Sequence, residues 1–147
     1  MKKFLAIAMF AAFCALPAMA ADRVGNIYET FAPNTVCEIM QAKGYTVSFD
    51  TDGEIIWQLD GYKTYITFNK GNRSITFYAI FKAPDTTLEK HNEFNKDYRF
   101  GRTYMPAPGK ARLEIDLEFD GGISKERLED FFTTCQVLFS AWREKVL

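Results

Sequence analysis

From Arg112 to Phe119 the chain reads Arg-Leu-Glu-Ile-Asp-Leu-Glu-Phe, apolar and charged residues alternating without a break. A period of two predicts a strand with one buried face and one wet face. After Gly121-Gly122 the rhythm changes. Leu128, Phe131, Phe132, Cys135, Leu138, Phe139, Trp142 and Val146 recur every three or four residues. That spacing predicts a helix of about twenty residues, capped by Ser124, with Ile123 and Leu128 placed for a hydrophobic staple.

Upstream, the β-branched and aromatic runs Thr46–Phe49, Glu54–Leu59, Thr64–Phe68 and Ser74–Phe81 are separated by Asp-Thr-Asp-Gly, Asp-Gly and Asn-Lys-Gly-Asn. Such punctuation predicts hairpins, and hence an antiparallel meander of these strands. Before them, Pro33 suits a first helical turn, Thr35 and Glu38 fit a capping box, and Val36, Ile39 and Met40 form a stripe. Gly44 stops that helix after about Lys43. Residues 22–31 fit either a short strand or a helical turn. After the meander, Pro84 breaks the last strand, and Asp85 or Thr86 can cap a middle helix reaching about Tyr98. Arg102–Met105, a turn over residues 106–109, and the alternating strand make a second hairpin. The expected fold is therefore α+β: helix, four strands, helix, two strands, helix. An antiparallel sheet of five to six strands carries the first and last helices on one face.

The amino terminus belongs to a different regime. Lys2 and Lys3 precede an apolar run from Phe4 to Leu16, and Pro17 and Ala18-Met19-Ala20 follow. This reads as a secretory signal peptide over residues 1–20, leaving one domain at 21–147 in the periplasm or outside the cell. Bulky Phe13 before Cys14 argues against a lipoprotein signal. Without Lys2 and Lys3, 16 of the 18 basic residues remain against 19 acidic ones, a formal charge of −3. Such a surface argues against nucleic acid as partner. The last helix is acidic as often as basic on its polar side, so its apolar face is expected in the core, with no stable membrane insertion after cleavage.

Two cysteines remain, Cys37 and Cys135, on the two helices expected side by side. In an oxidising compartment a disulfide between them is the expectation, with two buried thiols as the alternative. It would close a loop of nearly one hundred residues, worth on the order of 4 kcal/mol in the chain-entropy model.

Candidate chemistry is sparse. His91 is the only histidine and has no nucleophile or carboxylate three or four residues away, so a solvated helical residue is expected. Asp50-Thr51-Asp52-Gly53-Glu54 lacks the later ligands of a calcium loop and reads as a tight turn. Glu114, Asp116 and Glu118 lie on one strand face, with Arg99, Arg102 and Arg112 near enough to neutralise them. No phosphate loop, nucleophile elbow or triad is present in the sequence, and no enzyme activity, cofactor or metal is expected. Fourteen phenylalanines, seven tyrosines and two tryptophans leave a ligand pocket between helix and sheet as a second reading.

The stretch from His91 to Phe131 resembles the YbjN domain family of bacterial sensory transduction regulators. The resemblance rests on Asn92, Phe94 and Asn95 in the middle helix, then Arg99, Phe100, Arg102 and Tyr104. It continues through the alternating strand with Asp116 and closes with Gly121, Gly122, Ile123 and Ser124. Phe94 stands where tryptophan is common in the family. The resemblance implies a fold similar to type III secretion chaperones and a non-enzymatic binding module. Its partner would be a protein or peptide of the cell envelope, with a homodimer left open. Taken residue by residue, Phe94 can anchor the middle helix, Asn92 and Asn95 can satisfy a strand edge, and Arg99 and Arg102 can pair with the acidic strand.

Overall fold

The protein's architecture comes from a computed structural model, which describes residues 26–147. The expected signal peptide over residues 1–20 lies outside the described residues. The elements run β1 (Ile27–Tyr28), α1 (Pro33–Ala42), β2 (Thr46–Phe49), β3 (Ile55–Leu59), β4 (Tyr62–Phe68), β5 (Ser74–Lys82), α2 (Leu88–Asp97), β6 (Gly101–Tyr104), β7 (Lys110–Glu118), β8 (Ile123–Ser124) and α3 (Lys125–Lys145). Six strands form one antiparallel sheet in the order β2-β3-β4-β5-β7-β6. The meander is the run from β2 to β5. From there the chain crosses through α2 to the far edge, lays down β6, and returns as β7 between β6 and β5.

The alternation in β7 sorts the sheet's two faces. Ala111, Leu113, Ile115 and Leu117 are buried, and Ile75, Phe77 and Ala79 of β5 and Ile55, Trp57 and Leu59 of β3 join them. All three helices lie on this side. The apolar stripe of α3 crosses the middle: Phe132 meets Trp57, and Phe139 meets Phe77, at ring-centroid separations of 6.1 and 6.3 Å. Against β2, α1 buries Val36, Cys37, Ile39 and Met40. It is tied to α3 by Lys43 Nζ to Glu129 (2.9 Å) and by the Tyr45 hydroxyl donating to Gln136 (3.1 Å). The third helix, α2, sits at the β6 margin. No helix among the described residues covers the opposite face.

Three local expectations change, and one left open is settled. The α1 cap is Ala32, with no side-chain bond, because Pro33 at the first helical position sets the start and leaves Thr35 inside. The cap of α2 is Thr87, which accepts from the Lys90 N–H. The ambiguous segment after residue 25 contains β1, which pairs with β8 to give a two-stranded latch. Finally, Cys37 and Cys135 are buried free thiols, not the expected disulfide. Cys37 borders a recess with Val47, Ser48 and Phe49 at the sheet edge, whereas Cys135 is enclosed beneath α3. The two helices are joined instead by Lys43 to Glu129 and Tyr45 to Gln136, with the Tyr45 ring tilted against Trp57 of β3. Burial raises both thiols above the ordinary cysteine range, the neighbouring Glu38 adding to the effect at Cys37.

Gly122 sets the latch. Its φ is +84°, and a Cβ there would stand 2.1 Å from Ile27 Cγ2. Gly122→Ala is expected to cost about 1–3 kcal/mol, from backbone strain plus this clash. In an Ile27→Ala background the clash disappears and only the strain should remain. Urea unfolding of the two single variants and the double variant measures the difference.

Candidate functional site

The residues expected to matter converge on the β6 margin, and the polar core of that margin is one hydroxyl. Thr103 of β6 is 3 % exposed, and its side chain lies on the helix side of the sheet. Its Oγ1 donates to the Arg112 carbonyl (2.8 Å) and accepts from the Trp142 indole N–H (2.7 Å). The third contact, at 2.7 Å, is Nδ1 of His91. An indole nitrogen only donates and a carbonyl only accepts, so the hydroxyl proton is already committed. His91 must therefore donate from Nδ1. Its Nε2 lies 3.1 Å from the Thr86 hydroxyl, which can donate to it, and burial favours the neutral ring in which Nε2 is the acceptor.

His91 is thus not a solvated helical residue: it is 2 % exposed and joins α2 to β6 and α3. Burial lowers its pKa below the ordinary histidine value, with the Lys90 charge as a smaller cause. The hydrophobic pattern concealed this because α2 buries only His91 and Phe94. The one available signal was position, since His91 lies three residues before Phe94 and so shares its helical face.

Asn95 performs the role expected of it. Its Nδ2 donates to the Thr103 carbonyl (3.0 Å), and its Oδ1 accepts from the Thr103 N–H (2.8 Å). One amide side chain thereby satisfies both outward backbone groups of an edge-strand residue. Phe94 is buried and stacks on Tyr98, with centroids 4.5 Å apart. Asn92 is exposed and makes no hydrogen bond among the described residues.

On the helix-free face a second network forms. Glu114 accepts from the Tyr104 hydroxyl (2.9 Å) and from Arg112 Nε (2.6 Å), and it pairs with Arg102. Asp116 takes the Thr76 hydroxyl (2.6 Å) and the other arm of Arg102. The Arg112 guanidinium lies 4.2 Å over the Tyr78 ring, and Tyr78 stacks on Tyr65 and donates to Glu54 (2.7 Å). Burial pushes the Glu114 carboxyl upward, but Tyr104, Arg112 and Arg102 outweigh it and hold it below the usual glutamate value. Glu114 is 7 % exposed although it faces away from the core, because the residues that pair with it also cover it. Arg99 makes no ion pair among the described residues, so the expected pairing is made by Arg102 and Arg112 without it.

Phe100 is the exception to this internal economy. It is 78 % exposed with φ +71°, a conformation rare and strained for a bulky residue. Two surface recesses flank it, each between 300 and 350 Å³. Tyr98, Thr134, Val137 and Leu138 line one; Ile115, Asp116, Arg127 and Phe131 line the other. Val137 is itself 62 % exposed. Sequence pattern gave no sign of Phe100's exposure, since it sits where helix and strand periods meet. Gly121 and Gly122 lie far from this cluster in the chain and serve the latch. Among the described residues, no three His, Cys, Asp or Glu side chains gather in a metal-holding group, and no helix is long and apolar enough to cross a membrane.

The YbjN family model, described as "Putative bacterial sensory transduction regulator", matches residues 32–147. Among solved structures, the chain is similar to the crystal structure of YbjN, "a putative transcription regulator from E. coli". The TM-score is 0.64 at 13 % identity, covering 83 % of this chain and 99 % of that one. That likeness concerns the fold. No curated protein matches.

Thr103→Val keeps the shape and strands three buried partners, so it is expected to cost about 2–4 kcal/mol in urea unfolding. His91 adds a pH signature. Its pKa falls on folding, so its contribution is complete above the unfolded value of about 6.5 and is lost as pH falls below it. Between pH 7.5 and 5 the wild type should therefore lose more stability than His91→Gln. Equal losses would show that the imidazole is charged in the folded state.

Proposed function

The chain belongs to the YbjN family, and from that premise we propose that it is an exported, non-enzymatic protein-binding module with a regulatory or chaperone-like role. The single observation that carries this reading is Phe100. A phenylalanine held at positive φ with most of its ring in water costs stability in two ways, through backbone strain and through exposed apolar surface. Among the described residues its ring makes no aromatic pair. Beside it, Val137 on α3 extends an apolar strip flanked by Asp97, Arg99, Arg127 and Asp130. An aromatic anchor between two shallow recesses with a polar rim is the anatomy of a protein-docking hot spot. The occupant we propose is a protein of the cell envelope. The family description as a regulator agrees with a binding role and names no reaction.

Other features support the reading from different directions. The acid–base groups that an enzyme would need are already committed: His91 is held neutral between two threonines, and Glu114 and Asp116 are paired with arginines. The aromatic residues that suggested a ligand pocket mostly fill the core, including Trp57, Trp142, Phe77, Phe131, Phe132 and Phe139. Export rests on the pattern of residues 1–20.

Phe100→Gly separates function from fold. Glycine relieves the positive φ, so stability is expected to hold or to rise by up to about 1 kcal/mol, while partner capture falls. A photo-crosslinking residue at position 100, in intact cells, should give adducts of one defined mass. The same residue at Lys70, on the β4–β5 turn, serves as control. Adducts that are absent, or the same at both positions, would refute docking at this strip. Amino-terminal sequencing of the accumulated protein checks export, with Ala21 expected as the first residue.

A further inference from the structure

The two edges of the main sheet are treated differently. The β6 edge is closed, Asn95 occupying the N–H and C=O that Thr103 turns outward. At the other edge β2 has no such cover. The Asp50 N–H donates to the Glu54 carbonyl at 3.0 Å, and these two residues continue the register in which Ser48 faces Ile56 and Thr46 faces Gln58. Hydrogen-bonded pairs alternate along an antiparallel ladder. Ser48 and Thr46 therefore aim their backbone groups at β3, and Val47 and Phe49 aim theirs outward. Among the described residues those outward groups receive no hydrogen bond.

Proteins usually blunt such an edge with a charged residue, a proline or a bulge. The Thr-Val-Ser-Phe of β2 contains no charge and no proline. Beside it, α1 and β2 enclose a recess of about 350 Å³ lined by Asn34, Cys37, Glu38, Gln41, Val47 and Phe49. Phe49 is 40 % exposed, so one apolar side chain would find cover there. Glu38 of α1 lines the recess and Asp52 lies on the turn that follows β2; neither has an ion pair among the described residues, whereas Lys43, just past the end of α1, is engaged by Glu129. A second copy of the chain would bring the same carboxylates to the same edge. A basic segment would meet them with opposite charge.

We propose that the β2 edge is a strand-addition site for an extended, basic peptide segment of a partner protein. The peptide backbone pairs with the outward groups of Val47 and Phe49. An apolar side chain enters the recess beside Cys37, and a lysine or arginine near it meets Glu38. Main-chain bonds supply the affinity, and the recess and the carboxylate supply the preference. The site lies at the sheet edge opposite Phe100, so its failure leaves the Phe100 reading untouched, and the reverse also holds.

The test pans a phage-displayed library of random decapeptides against the purified protein, then measures the enriched sequences as labelled synthetic probes by fluorescence anisotropy. The enriched peptides should combine β-forming apolar residues with lysine or arginine, and the Val47 and Phe49 amides should shift on binding in a ¹⁵N–¹H spectrum. Val47→Pro removes one outward N–H and no bond to β3, and should weaken binding about tenfold or more. Glu38→Lys, on an exposed helical position, should weaken basic probes several-fold; if the proline variant fails to fold, this arm and the amide shifts decide. Three outcomes overturn the proposal. One is a library without enrichment, and another is binding indifferent to both substitutions. The third is a wild-type dimer in sedimentation that Val47→Pro converts to monomer, which assigns the edge to a second copy.

Discussion

The Oγ1 of Thr103 has one proton and two lone pairs, and all are used. The proton goes to Arg112, and the lone pairs go to Trp142 and His91. This saturation fixes more than one residue. It sets where α2 rests, because His91 is one of the two α2 residues buried in the fold. The position of α2 in turn brings Asn95 opposite the Thr103 backbone, which closes the β6 edge. It also determines where the chain leaves α2, and so where Phe100 projects. A buried network that is fully satisfied specifies one arrangement, because any alternative leaves a donor or carbonyl unpaired away from water. Hydrophobic burial alone would not choose so narrowly: a helix that buries one phenylalanine and one histidine could slide along its groove at modest cost.

Elements whose burial is regular were legible in the sequence. Strand β7 has one face in the core, and its alternation says so; α3 buries seven of its residues, and they repeat at helical spacing. The meander was legible because each turn carries glycine or asparagine where φ is positive, as at Gly53, Gly61, Gly71 and Asn72. What could not be read was whatever depends on a distant partner. His91 looks polar until Thr86, Thr103 and Trp142 surround it. The latch of β1 and β8 is two residues on each side, too short for any period, and exists because two segments nearly one hundred residues apart meet. Phe94, Asn95 and Arg102 were placed in the right roles from local chemistry, whereas Asn92 and Arg99, equally polar and nearby, point to solvent. Spacing could not separate the two sets. The cysteine pairing failed for a related reason: sharing a sheet face brings helices together without aligning their thiols, and a disulfide requires both proximity and direction.

The helix-free face explains how an uncovered six-stranded layer remains in water. Its central residues do not leave charges waiting for a ligand. Arg102 spans Glu114 and Asp116, Arg112 lies on Tyr78, and Tyr78 reaches Glu54, so acid, base and ring satisfy one another across three strands and the turn before β3. Cross-strand pairs of this kind each contribute only tenths of a kcal/mol when exposed. Together they cover the backbone and shield Glu114, and the arginines keep the carboxyl ionised despite its burial. A surface so completely paired is a poor candidate for recognition, because a ligand would have to displace bonds already made.

That reasoning narrows where function can lie. An incoming partner gains most where the free protein has left groups unsatisfied, since it then removes a cost instead of exchanging one bond for another. In this fold such places are few and local. Phe100 holds an apolar ring in water on a strained backbone, and β2 holds its outward amides and carbonyls beside a recess of mixed polar and apolar lining. Both lie at sheet margins, where loops and helix ends can carry strain without disturbing the core layers. The same sequence that saturates Thr103, Glu114 and Asp116 leaves these two margins incomplete. The contrast between the edge that Asn95 closes and the edge that no described residue closes shows that closure required only one well-placed amide. Leaving β2 open is then a property of this chain and not a limit of its fold.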